Sequence, residues 1–137
     1  MNHYTILRSI LLLSLLAILW LLASPVSAAS SILVDTTADV VADDGLCSLR
    51  EAIYAANNST SFSNCTVGTA PYTIEFAPAL PTPATFTLTL SGAGEYAGLA
   101  GDLDLKGTFS VAGAGASNTI IDGYNADRVL HVHSTAN

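Results

Sequence analysis

The apolar and polar positions divide the chain into a leader, a short helix and a series of short strands. Residues 10–23 form an almost unbroken apolar run, with Arg8 before it and Ser24-Pro25-Val26-Ser27-Ala28 after it. A positive start, an apolar middle and a small-residue end are typical of a secretory signal peptide, so we expect residues 1–28 to be removed by cleavage after Ala28. The alternative is an uncleaved N-terminal anchor, because the stretch from Leu7 to Ala23 nearly approaches the length that spans a bilayer.

Residues 47–57 predict a short capped helix. Ser48, followed three residues later by Glu51, has the spacing of a capping box, in which the hydroxyl accepts from the Glu51 amide and the carboxylate accepts from the Ser48 amide. The apolar residues of this segment recur at helical spacing and form one face, which consists of Leu49, Ala52, Ile53 and Ala56.

The remainder of the chain predicts short strands separated by Gly and Pro. Apolar and polar residues alternate over residues 86–90 and 103–105, which indicates strands that bury one side. The predicted strands are Ile32–Thr37, Tyr72–Phe76, Phe86–Leu90, Leu103–Leu105, Phe109–Val111, Thr119–Asp122 and Val129–His133. On periodicity alone, such strands fit a sandwich or a solenoid equally well.

The two cysteines, Cys47 and Cys65, predict a disulfide, because an even pair in an exported protein is typically oxidised. Closing this loop of about 18 residues would stabilise the fold by roughly 3 kcal/mol. The alternative, a redox or metal-binding thiol pair, lacks the CxxC spacing and the neighbouring histidines of such sites.

The run Cys47-Ser48-Leu49-Arg50-Glu51-Ala52-Ile53-Tyr54-Ala55-Ala56-Asn57 resembles the signature of the CSLREA domain, which is found near the N-terminus of secreted bacterial right-handed parallel β-helix proteins. The wider pattern, from Val34-Asp35-Thr36-Thr37-Ala38-Asp39 through Ile120-Ile121-Asp122-Gly123, is also similar to that family. The resemblance implies a mainly β fold: an N-terminal capping helix followed by the first coils of a right-handed parallel β-helix, a solenoid. The chain then divides into the leader 1–28, a capping segment 29–70 with the helix and disulfide loop, and opening coils 71–137.

In that solenoid, Leu49 and Ile53 would cover the first coil as a plug, while Arg50 and Glu51 would form a salt-bridging, capping pair. About two coils are present, fewer than the three units that repeat arrays generally need. We therefore expect the chain to be the front part of a longer protein, whose downstream coils are its partner. The alternative is self-association through the open C-terminal end.

The charge balance excludes some classes of partner. Without the leader, about 109 residues remain, and Arg50, Lys106 and Arg128 oppose eleven carboxylates. Proteins that bind nucleic acids or anionic lipid surfaces present a positively charged surface to them. We therefore expect neither nucleic acid nor, after signal cleavage, a membrane as partner. We expect the protein to be secreted or held at the cell envelope, with surface polysaccharide as one candidate ligand.

Five aspartates are candidate calcium ligands, in two groups. Asp39, Asp43 and Asp44 lie in an acidic turn, whereas Asp102 and Asp104 alternate, so both carboxylates share one face of a strand. Such carboxylates can bind calcium or act as base and nucleophile. The turn lacks the EF-hand spacing, and leucines at the interior positions of the strand would leave its aspartates in solvent. An ordinary solvated acidic surface is therefore the alternative for both groups.

His131 and His133 lie two apart on a predicted strand, on the face opposite Leu130 and Val132. A His-x-His pair can supply two ligands to zinc. Because no third ligand lies nearby in the sequence, we predict no metal site and no cofactor other than calcium.

The sequence contains no G-x-S-x-G, Walker or H-E-x-x-H motif. We therefore expect a non-catalytic cap and opening coils of a secreted or cell-surface β-helix protein with a structural or adhesive role. One alternative is a fragment of a carbohydrate-active β-helix enzyme, a polysaccharide lyase or hydrolase, with its catalytic residues beyond the C-terminus. A second is a small calcium- or carbohydrate-binding module.

Overall fold

The computed structural model describes residues 3, 4, 13, 29–125 and 128–136, so most of the predicted signal peptide lies outside the described residues. From residue 29 onwards the order of elements is β1 (Ser30–Val34), α1 (Leu49–Asn58), β2 (Tyr72–Phe76), β3 (Ala84–Thr87), β4 (Leu103–Leu105), β5 (Phe109–Ala112), β6 (Thr119–Asp122) and β7 (Leu130–Val132). Among the described residues, no helix is both long enough and apolar enough to cross a bilayer.

Helix α1 begins at a complete capping box. The Ser48 hydroxyl accepts from the Glu51 amide at 3.2 Å, and the Glu51 carboxylate accepts from the Ser48 amide at 2.9 Å. The helix ends at Ser59, which adopts a left-handed conformation with φ of 50°. Leu49 and Ile53 are 3% and 2% exposed, and the helix packs on β1, β2 and β4.

The strands that the structure describes form three separate parallel sheets. The order is β1-β2-β5 in the first sheet, β3-β6 in the second and β4-β7 in the third. Ile32 pairs with Ile74 and then Val111 across the first sheet, and Phe86 pairs with Ile121 in the second. In the third, Leu103, Asp104 and Leu105 pair in register with Leu130, His131 and Val132.

The predicted right-handed parallel β-helix is wrong. The described strands form small sheets of three, two and two strands, and α1 packs against the first and third of these sheets; they do not form a solenoid. A repeat array needs at least three stacked units to bury a continuous core, and two of these sheets have only two strands. The positions of the predicted helix and strands agree with the structure to within a few residues, but their assembly does not.

The core lies between α1 and the inner faces of the sheets. On β1, Ile32 and Val34 are fully buried, while Leu33 between them is 47% exposed. Ile74 on β2 and Phe86 on β3 are buried in the same way. The strict alternation on the early strands is therefore what the sequence pattern predicts for strands with one buried side.

The Cys47–Cys65 disulfide is confirmed. It joins the start of α1 to the polar loop that follows the helix, where the Asn64 amide donates to the Leu46 carbonyl at 3.3 Å. Asp35 also holds this region, because its carboxylate accepts from the Cys47 amide at 2.7 Å and from the Asn64 side chain at 2.8 Å.

Candidate functional site

Asp102 and Asp104 are buried, with 1% and 0% exposure. The prediction that both would lie in solvent is wrong, although Leu103 does occupy the core at 1% exposure. Strand β4 is covered on both sides: α1 packs against it, and the 95–101 loop contacts the aspartate side. Both carboxylates are therefore enclosed by their neighbours and do not form the solvent-exposed pair that the alternation predicts.

The register between β4 and β7 brings a carboxylate and two imidazoles together. Asp104 is the direct cross-strand partner of His131, and His133 follows two residues later on the same face. The Asp104 Oδ1 atom lies 3.0 Å from His131 Nδ1 and 2.7 Å from His133 Nε2. The two imidazole rings lie 4.0 Å apart between centroids, and the Tyr96 ring lies about 6 Å from each.

The 95–101 loop fixes the Asp104 carboxylate. The Gly98 amide donates to Asp104 Oδ2 at 3.1 Å, and Gly98 has a φ of +75°, where a side chain would be strained. The loop is itself held by Glu95, whose carboxylate accepts from the amides of Ala97, Leu99 and Ala100. The site is therefore organised by backbone donors as well as by side chains.

The buried Arg50 side chain links this loop to Asp39, which precedes α1. Its guanidinium binds both oxygens of Asp39, at 2.6 and 3.2 Å, and donates to the carbonyls of Gly98, Gly101 and Asp102. The predicted pairing of Arg50 with Glu51 is wrong, because Glu51 accepts from backbone amides, including Ala42 at 2.7 Å. A helix of this length places adjacent side chains on different faces.

The predicted calcium ligands of the acidic turn do not converge. Asp39 is engaged by Arg50 and by the backbone amides of Thr89 and Leu90. Asp43 and Asp44 are exposed, and Asp44 accepts from the Leu46 amide within its own turn. Within the described ranges, this turn therefore provides no cluster of three or more candidate metal ligands.

Arg128 and His131 meet beside Asp102. The Arg128 Nε donates to Asp102 Oδ2, and its Nη2 lies 3.1 Å from His131 Nδ1. His131 Nδ1 also lies 3.0 Å from Asp104 Oδ1. Arginine only donates and a carboxylate only accepts, so the single ring nitrogen completes one of these hydrogen bonds at a time.

Sequence reasoning missed the convergence of Asp104, His131 and His133, which are separated by 27 and 29 positions. A usable signal was present. The triplets Leu103-Asp104-Leu105 and Leu130-His131-Val132 share the same apolar-polar-apolar pattern, and aligning them as parallel neighbours places Asp104 beside His131.

A second surface feature lies on the last strand of each sheet. Strands β5, β6 and β7 are edge strands, and their exposed apolar residues, which we call the apolar edge, are Val111, Ile120, Leu130 and Val132. Their exposed fractions range from 39% to 66%. A groove of about 160 Å³ between Leu105, Phe109 and Val132 adjoins this edge.

Comparison of the chain with protein-family models, with curated proteins and with solved structures found no match.

Proposed function

We propose that this protein is a non-catalytic structural module that acts outside the cytoplasm and associates with a second copy through the apolar edge. The observation that carries the proposal is the exposure of Val111, Ile120, Leu130 and Val132 on three edge strands. Edge strands present unpaired backbone groups that another chain can pair with, and apolar side chains beside them favour burial.

The location is supported by the Cys47–Cys65 bond, since structural disulfides persist in oxidising compartments. The leader pattern of residues 1–28 and the resemblance to the CSLREA domain, which stays a prediction, support the same location.

A second copy is the occupant that fits this edge best. A second copy presents the same apolar edge on strands of four, four and three residues, so an isologous interface would bury this edge on both copies at once. Two-stranded sheets are also marginal by themselves and gain from additional strands. Without the leader, three basic residues oppose eleven carboxylates, and this net charge of −8 (3 − 11) opposes association, so salt should strengthen it by screening the repulsion.

The test is sedimentation velocity over a range of protein and salt concentrations, with protein exported from the full coding sequence. Mass spectrometry of the same sample reports whether cleavage occurs after Ala28. We expect a concentration-dependent dimer that strengthens with salt and is lost in Val132→Lys. The matched control is Leu33→Lys, which places the same charge at an exposed apolar position of β1, beside Glu75. Strand β1 is the edge opposite β5 in the first sheet and is not part of the apolar edge, so this variant should dimerise like the unchanged protein.

A protein that stays monomeric at high concentration and high salt would overturn the proposal. So would a dimer that Val132→Lys leaves as strong as Leu33→Lys does.

A further inference from the structure

We propose that Asp104, His131 and His133 bind a divalent transition-metal ion, for which zinc is the representative probe, where β4 meets β7. The Asp104 Oδ1 atom lies 3.0 and 2.7 Å from the two imidazole nitrogens, and the three ligand atoms lie within 4.8 Å of one another. Zinc bonds of about 2.0–2.1 Å separate tetrahedral ligands by about 3.3 Å. The two distances from Asp104 Oδ1 are therefore about 0.3 and 0.6 Å shorter than the tetrahedral spacing.

The donor set selects the class of metal. Two imidazole nitrogens and one carboxylate oxygen suit zinc and its neighbours in the first transition row, whereas calcium prefers oxygen ligands alone. Three protein ligands leave a fourth position for water or a ligand. The side chains of His131 and His133 are 26% and 21% exposed, so that position opens toward solvent.

The carboxylate is oriented before any metal arrives. Asp104 is fully buried, and its second oxygen is held by the Gly98 amide at 3.1 Å. Such outer contacts orient a metal ligand and raise its affinity. Buried charges in proteins are paired or coordinate metals, and a divalent cation would fill that role for Asp104.

Binding of the metal requires the Arg128 guanidinium to move. Its Nη2 lies 3.1 Å from His131 Nδ1, the nitrogen whose lone pair the metal would take. The Arg128 side chain is 50% exposed and its Nε is bound to Asp102, so zinc binding requires the guanidinium to shift its Nη2 away from His131 Nδ1.

The test uses protein exported from the full 137-residue sequence, without a polyhistidine tag, stripped with chelator and dialysed against zinc. We expect one tightly bound zinc per chain by elemental analysis. His131→Gln and His133→Gln should each lower the zinc affinity by at least about 100-fold, since losing even an outer contact costs about 10–100-fold. Cobalt in place of zinc should give a visible absorption band that both variants lose.

The matched control is Asp43→Asn, which removes one carboxylate from the exposed turn and should bind zinc like the unchanged protein. Asp104→Asn should abolish binding; should it fail to fold, the variants of the two partly exposed histidines still decide the question. Zinc should raise the melting temperature of the unchanged protein and of Asp43→Asn, but not that of His133→Gln. No stoichiometric zinc, or zinc held equally well by both histidine variants, would overturn the proposal.

Discussion

Replacing Arg50 with Met should be among the most destabilising single changes in this protein. The guanidinium has five N–H groups, and each has a partner: two bonds reach Asp39, and three reach the carbonyls of Gly98, Gly101 and Asp102. The Arg50 side chain is 0% exposed and that of Asp39 is 3% exposed. Methionine keeps much of the apolar stem but removes every one of these bonds.

The expected loss follows from burial. Removing one partner of a buried ion pair leaves an uncompensated charge and costs about 3–5 kcal/mol. Asp39 keeps two backbone donors, the amides of Thr89 and Leu90, which places the expected loss near 3 kcal/mol rather than 5. At about 4 °C or more per kcal/mol for a domain of this size, the melting temperature should fall by at least about 12 °C.

Urea unfolding followed by far-UV circular dichroism measures this loss, since the chain's one tryptophan, Trp20, lies in the leader. The control is Lys106→Met, which makes the same replacement and removes the same charge from a half-buried position, and which should change the free energy of unfolding by less than about 0.5 kcal/mol. The double variant Asp39→Asn/Arg50→Met should cost less than the sum of the single variants. If Arg50→Met and Lys106→Met changed the free energy of unfolding equally, with the same dependence on urea concentration, the reasoning from burial would be refuted.

Two further changes test the first helix and its disulfide. Ser48→Ala should cost about 1 kcal/mol, because it removes the acceptor of the Glu51 amide, and an unchanged urea midpoint would contradict this. Reducing Cys47–Cys65, which closes a separation of 18 residues, should cost about 3 kcal/mol. The control is Cys47→Ala/Cys65→Ala, whose urea midpoint must not respond to the reductant. Labelling that found free thiols in the exported protein would contradict the prediction.

The local elements were largely predictable because their signals are short-range. The spacing of Ser48 and Glu51 predicts the start of α1, and the alternation of apolar residues predicts β2, β4 and β6 at the bounds that the structure has. Their assembly was not predictable in the same way. Three small parallel sheets and a stacked solenoid place the same apolar pattern on each strand, so periodicity does not separate them.

The prediction of which side chains are buried was wrong where a strand is covered on both sides. Alternation on β4 places Leu103 in the core, and on a strand with one buried and one exposed side Asp104 would then be exposed. The 95–101 loop covers the second side instead, and the Gly98 amide binds the carboxylate there. Arg50 was misassigned for a related reason, because its partner Asp39 lies eleven residues earlier and not on the helix.

By itself, the sequence determined the cap and apolar face of α1, the positions of the strands, the pairing of the two cysteines and the acidic balance. The helix and the strands depend on residues close in the chain, the acidic balance depends on a count, and the disulfide is the single possible pair of cysteines. Only the tertiary structure decided that Asp104 meets His131 and His133, and that Arg50 bridges Asp39 to the 95–101 loop. Those contacts join residues between 11 and 51 positions apart, and the register of parallel strands that creates the first of them is set by packing of the whole chain.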